Sequence, residues 1–87
     1  MQKKNNPAPY FVYLLECADG SLYAGITTDV KRRFSEHKGG VGSNFTRAKK
    51  AKRIVYTEQH QNRSSALKRE AEIKRMTRKK KLALFNK

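Results

Sequence analysis

YFVYLLECADGSLYAGI, residues 10–26, decides the fold: two apolar runs interrupted by Ala18-Asp19-Gly20. Tyr10 to Cys17 is aromatic, β-branched and aliphatic on both faces, the pattern of a central strand covered from two sides. Ser21 to Ile26 resumes as a second strand, and Asp-Gly between two such runs signals a hairpin. The loop length sets which residues share a face. A two-residue Asp19-Gly20 turn pairs Cys17 with Leu22 and sends Tyr13 and Tyr23 to opposite faces. A three-residue loop, with Gly20 left-handed in a bulge, pairs Cys17 with Ser21 and puts Tyr13, Leu15, Cys17, Ser21, Tyr23 and Gly25 on one face. The residues by themselves allow both.

Beyond the hairpin, Thr28 is the expected N-cap of a helix, with Asp29 in the first turn where a negative charge is favoured. That helix runs to about Lys38 and stops at Gly39-Gly40. Val30 and Phe34 form its apolar stripe, bordered by Arg33 and His37 one turn apart. Val41 to Arg53, Gly- and Lys-rich and ending in RAKKAKR, reads as a solvated basic loop. Ile54 to Glu58 is a third strand. Ser64-Ser65 opens a second helix to about Met76, and Thr77 caps a last one, Arg78 to Phe85. The order β-β-α-β-α-α, with no internal repeat, defines an α+β domain: a small three-stranded antiparallel sheet flanked by helices. Residues 1–9, basic and polar with Pro7 and Pro9, read as a flexible tail, leaving residues 10–87 as the single domain.

A chain of 87 residues holds one domain with one modest core. Its formal charge of +14, from 21 Lys+Arg against 7 Asp+Glu, costs stability through self-repulsion and so points to a polyanionic partner. Nucleic acid fits best. An anionic membrane would call for a basic amphipathic helix with a continuous apolar face or a lipidation signal, and neither is present. No stretch reaches the roughly 18 apolar residues of a membrane span. A single cysteine, Cys17, cannot close an intramolecular disulfide, and the opening residues lack an apolar leader, so the expected compartment is the cytoplasm. Nothing implies an obligate protein partner.

One residue is out of keeping with its surroundings. On the wheel of the second helix Ala66, Leu67, Ile73 and Thr77 fall on one side with Glu70 in their midst, while Glu72 projects to the basic side. A carboxylate there is costly unless paired with Arg33 or a lysine, or bound to metal. Glu36, like Glu72, faces outward.

Together these features resemble the GIY-YIG nuclease domain. Phe11-Val12-Tyr13 stands where that family has its first motif and Tyr23-Ala24-Gly25 where it has its second. Tyr23 lies ten residues after Tyr13, Arg33 ten further on, and His37 four later. Ala66-Leu67-Lys68-Arg69-Glu70 is similar to the family's helix carrying its metal-binding glutamate. The resemblance spans Tyr10 to Met76 and is closest to the short stand-alone bacterial YhbQ-like members, akin to the UvrC N-terminal domain. It implies that both tyrosines act together, which selects the three-residue hairpin loop.

The resemblance further implies a metal-dependent endonuclease acting on DNA, damaged or branched, with RNA as the alternative polymer and a non-catalytic binding module as the alternative function. Glu70 would hold one Mg²⁺ or Mn²⁺ ion. Arg33 would take the scissile phosphate, Tyr13 and Tyr23 would orient or deprotonate water, and His37 would relay the proton. Gly25, lacking a side chain, would let the substrate backbone approach. The scarcity of well-placed carboxylates independently favours one metal over two. Asn86 is the only late candidate for the family's asparagine, and Thr46 and Arg47 occupy the loop where some members carry a second histidine. With no separate DNA-recognition domain read from the chain, substrate choice would rest on backbone contacts and shape. Arg47, Lys49, Lys50, Lys52 and Arg53, with Lys79 to Lys81, are the expected phosphate-tracking residues. Affinity for nucleic acid should therefore fall steeply between low and moderate salt in a titration; a flat salt profile would exclude phosphate tracking.

Overall fold

The computed structural model describes residues 8–41 and 48–86. Three strands, β1 (Tyr10–Cys17), β2 (Leu22–Thr27) and β3 (Ala51–His60), form an antiparallel sheet in the order β2-β1-β3. Helices α1 (Val30–Lys38), α2 (Arg63–Lys74) and α3 (Arg78–Ala83) complete the expected order. Residues 1–7 of the expected tail, and Thr46 and Arg47, lie outside the described residues.

β1 is central because it is apolar on both faces. Val12, Leu14 and Ala24 pack with Ala66 and Ile73 of α2, and Leu84 and Phe85 fold onto the same cluster after α3. On the other face Tyr13, Leu15 and Ala51 meet Tyr23, Ile54 and Phe34 of α1. The sheet thus lies between α1 on one side and the two C-terminal helices on the other. Each fully buried Val, Leu or Ile contributes on the order of 1.5–3 kcal/mol.

The hairpin adopts the three-residue loop. Tyr13 pairs with Gly25 and Leu15 with Tyr23. Gly20, at φ 87°, donates its N–H to the Cys17 carbonyl at 2.9 Å, and Cys17 N–H reaches Ser21 O at 2.9 Å. A positive φ suits glycine because a Cβ would crowd the backbone there. Asp19 stiffens the turn by accepting from Ser21 N (3.0 Å) and Ser21 Oγ (2.6 Å). These bonds, with Lys49 beside it, hold the Asp19 carboxyl well below the usual carboxylate range.

Several boundaries differ from expectation. β3 begins at Ala51, so part of RAKKAKR is strand: Ala51 is buried opposite Cys17, while Lys52 and Arg53 face solvent. The register shifts between Leu14 and Leu15 and again between Glu16 and Cys17, so that Tyr13, Leu15 and Cys17 face Thr57, Ile54 and Ala51. Each bulge inserts an extra residue and re-aims the strand. Ala51 and Ile54 therefore turn inward three residues apart, so a search by alternation finds Ile54 to Glu58 and misses the strand's start.

Helix starts shift as well. Asp29, not Thr28, caps α1, its side chain accepting from Arg32 N at 3.0 Å while Thr27 Oγ1 braces its backbone at 3.1 Å. Asn62, not Ser64-Ser65, caps α2, accepting from Ser65 N at 2.9 Å. Ser65 Oγ is instead engaged with His60 Nδ1 at 2.6 Å. Thr77 caps α3 as expected, but that helix ends at Ala83 because Leu84 and Phe85 turn to the core. Leu67, placed on the buried side by the wheel, is exposed.

What fixes the rotation of α2 is a polar clamp to β3. Arg69 Nε donates to both Glu58 oxygens (3.0 and 3.2 Å), Tyr56 donates to Glu58 Oε2 at 2.5 Å, and His60 Nε2 lies 2.8 Å from Glu58 Oε1. With Arg69 turned to β3, the next residue, Glu70, is rotated by about 100° about the helix axis.

Candidate active site

The site grows from the pairing of Tyr13 with Gly25. A Cβ built on Gly25 would stand 2.5 Å from the Tyr13 hydroxyl and 2.7 Å from Cζ, so only glycine lets the ring lie across β2. The close approach that this glycine permits in the folded chain is that of the protein's own tyrosine. Tyr13 then reaches α1, where its hydroxyl sits 2.8 Å from His37 Nε2. His37 is delivered by the helix end: Gly40 N–H bonds the His37 carbonyl (3.1 Å) and Val41 N–H bonds Glu36 O (2.9 Å), closing α1 in a Schellman motif.

Tyr23, across from Leu15, completes an aromatic cluster. Its ring centroid is 5.4 Å from that of His37, edge-on, and 6.4 Å from that of Tyr13. Arg33, one turn before His37, donates to the Tyr13 hydroxyl. Its NH1 is also held by Glu36 Oε1 at 2.9 Å. Glu36 thus does not simply face outward: it grips Arg33 from an i+3 position, a spacing the sequence displayed.

Glu70 enters from α2 near enough that its charge raises the proton affinity of Tyr13. It is largely buried, and Lys74 Nζ lies 3.5 Å from Oε2, the lysine pairing foreseen as the plain explanation of a buried carboxylate. Among the described residues no three His, Cys, Asp or Glu side chains cluster as a metal cage. The donor set here, one carboxylate beside phenol oxygens, suits a hard cation that completes its shell with water and phosphate oxygens.

Burial governs the electrostatics. Tyr13 and His37 are each 1% exposed. Burial pushes the Tyr13 phenol up, outweighing the hydrogen bond from Arg33. Burial, then the Arg33 charge, pushes His37 down. At neutral pH the pair is thus a phenol beside a neutral imidazole, joined by the 2.8 Å hydrogen bond between the Tyr13 hydroxyl and His37 Nε2. Tyr23, Arg33 and Glu70 are partly exposed and form the rim.

The structure brings Tyr13, Tyr23, Gly25, Arg33, His37 and Glu70 together. It does not bring the expected basic residues to them. Lys49, Lys50, Lys52 and Arg53 cluster at the hairpin end, where Lys49 pairs with Asp19 (3.1 Å) and Arg53 with Glu16 (2.7 Å). Lys50 and Lys52 are exposed. Asn86 lines a cavity with Glu16, Arg53 and Arg78 on the face opposite the tyrosines.

Residues 9–83 match the GIY-YIG catalytic domain. The chain belongs to the GIY-YIG family, a family of nuclease domains. It is 46% identical over 76 residues to the UPF0213 protein of Staphylococcus aureus (strain Mu3), across 87% of this chain and 93% of that protein. Two solution NMR structures are similar. The UPF0213 protein BH0048 from Bacillus halodurans is 42% identical with a TM-score of 0.56, covering 87% of this chain and 81% of that one. The protein EF2693 from E. faecalis is 42% identical with a TM-score of 0.59, covering 90% and 83%.

Gly25→Ala should displace the Tyr13 ring and cost about 1–3 kcal/mol in a urea titration, with loss of the His37 ring environment by NMR. His37 also makes stability pH-dependent. Its folded pKa is depressed, so its contribution is complete above the unfolded value and is lost as pH falls below about 6.5. Denaturation midpoints should drop on acidification through that range, and His37→Gln should flatten the profile there.

Proposed function

We propose that this protein is a metal-dependent endonuclease that hydrolyses phosphodiester bonds in DNA and selects its substrate by structure or damage rather than by sequence. The observation that carries this reading is the buried Tyr13–His37 hydrogen bond, flanked by Arg33, Tyr23 and Glu70. A phosphodiester offers a charged centre to grip, a water to position and a leaving oxygen to assist. Arg33, braced by Glu36, presents its planar fork to the phosphate. Tyr23 at the rim orients the attacking water. Tyr13 passes its proton to the neutral His37 Nε2 as its oxygen takes one from that water, so the histidine is the final acceptor. Glu70 is the residue that would hold one Mg²⁺ or Mn²⁺ ion; when bound, the ion supplies positive charge against the developing charge on phosphorus and the leaving oxygen. The exposed lysines at the hairpin end bind phosphates without reading bases.

One observation favours a second reading, a nucleic-acid-binding module without turnover: the Lys74 contact satisfies Glu70 with no ion. Incubating the protein with labelled single-stranded, duplex and branched DNA and RNA, in Mg²⁺ or Mn²⁺, separates the two. Wild type should cleave, Glu70→Ala should not, and Arg33→Ala should lose roughly 10²–10³-fold in rate. Equal trace cleavage by all three proteins, with binding intact, would establish the module instead.

A further inference from the structure

We propose that a groove on the far flank of α1 is a nucleobase-binding subsite that receives one unpaired base of the bound strand. This inference rests on the nucleic-acid reading above and adds a site to it. The groove, about 610 Å³, runs between α1 and β3 and is lined by Phe11, Val30, Phe34 and Ile54, with Thr28 and Thr57 among its polar members. Its size falls within the roughly 300–1,000 Å³ of small-molecule sites.

Phe11 is the informative residue. It lies two positions before Tyr13, on the same face of β1, and is half-buried yet belongs to neither core cluster. An aromatic side chain on a groove wall in a protein of charge +14 is placed for stacking rather than for the interior. Single-strand sites combine these two elements, a basic track for the backbone and an aromatic face for the bases.

The groove and the candidate active site share the helix α1 as a wall. Arg33 and Phe34 are consecutive, so they point about 100° apart: Arg33 turns to Tyr13, Phe34 to the groove. Lys31 lines the groove and Arg32 follows it, both exposed on the turn a strand would cross. The Asp29 carboxylate also lines the groove, where it accepts the Arg32 amide as the helix cap. Thr28 and Thr57, both exposed on the groove, supply hydroxyls that can bond base edges. A base stacked and paired within a duplex cannot enter such a groove, so the occupant is unpaired.

The test uses an oligothymidylate and a strand of equal length and charge made of abasic units, without divalent metal so that no cleavage intervenes. Wild type should bind the thymidylate more tightly. Phe11→Ala should weaken thymidylate binding by about ten-fold, leaving abasic binding unchanged and the circular dichroism spectrum native. The chain has no tryptophan, so Phe11→Trp provides a single indole that can be excited apart from the tyrosines, and its emission should be quenched by the thymidylate and not by the abasic strand. Equal wild-type affinity for the two strands would overturn the subsite while leaving phosphate binding intact. Failure to bind either would overturn the nucleic-acid reading itself. A wild-type dimer in sedimentation that Phe11→Ala dissolves would make the groove a self-association surface and also overturn the proposal.

Discussion

The hydrogen bond from Tyr13 to His37, 2.8 Å long and buried, is the constraint around which the tyrosine face is built. It joins the central strand to the last turn of α1, and it forms only because Gly25 leaves room for the ring to lie across β2. The same ring contributes hydrophobic area to the core beneath α1, so packing and chemistry are carried by one side chain. Burial also sets the charge state of the pair: the phenol holds its proton, and the imidazole is neutral. A polar pair in a low-dielectric interior is costly unless satisfied, and here each partner satisfies the other.

α2 plays the complementary part. Its apolar positions, Ala66 and Ile73, seat it on the opposite side of the sheet, and the Arg69–Glu58 clamp fixes its rotation. Glu70 is thereby directed toward a tyrosine that belongs to the other face. The site is thus assembled from both layers around the sheet. That accounts for a carboxylate in the middle of an otherwise apolar stripe.

Much of this was legible in the chain. The double-faced apolar run of β1, the Asp-Gly turn, the glycine stop of α1 and the misplaced Glu70 each carry a local signal strong enough to read. Resemblance was needed to choose between the hairpin registers, because turn chemistry alone permits both. What stayed hidden depended on partners distant in sequence. Ala51 to Arg53 look unlike the start of a strand until β1 is set beside them and the bulges absorb the extra residues. Ser65 looked like a cap until His60 claimed its hydroxyl. Glu36 and Gly25 were assigned to solvent and to substrate, and only the packed tyrosine face shows that both serve Tyr13 and Arg33. The basic residues were read from charge, which says nothing of their distance from the tyrosines.

The two bulges in β3 have a consequence beyond register. A three-stranded sheet has two open edges, and an open edge is a template on which another chain can add strands. β2 is only six residues long, and β3 is broken twice along its length and carries Lys52 and Arg53 outward. A regular ladder of donors and acceptors is therefore offered by neither edge. The irregularity that turns Ile54 inward to the tyrosine face also makes the domain a poor seed for its own aggregation. A small sheet can thus blunt its edges through the same irregularity that packs one of its faces.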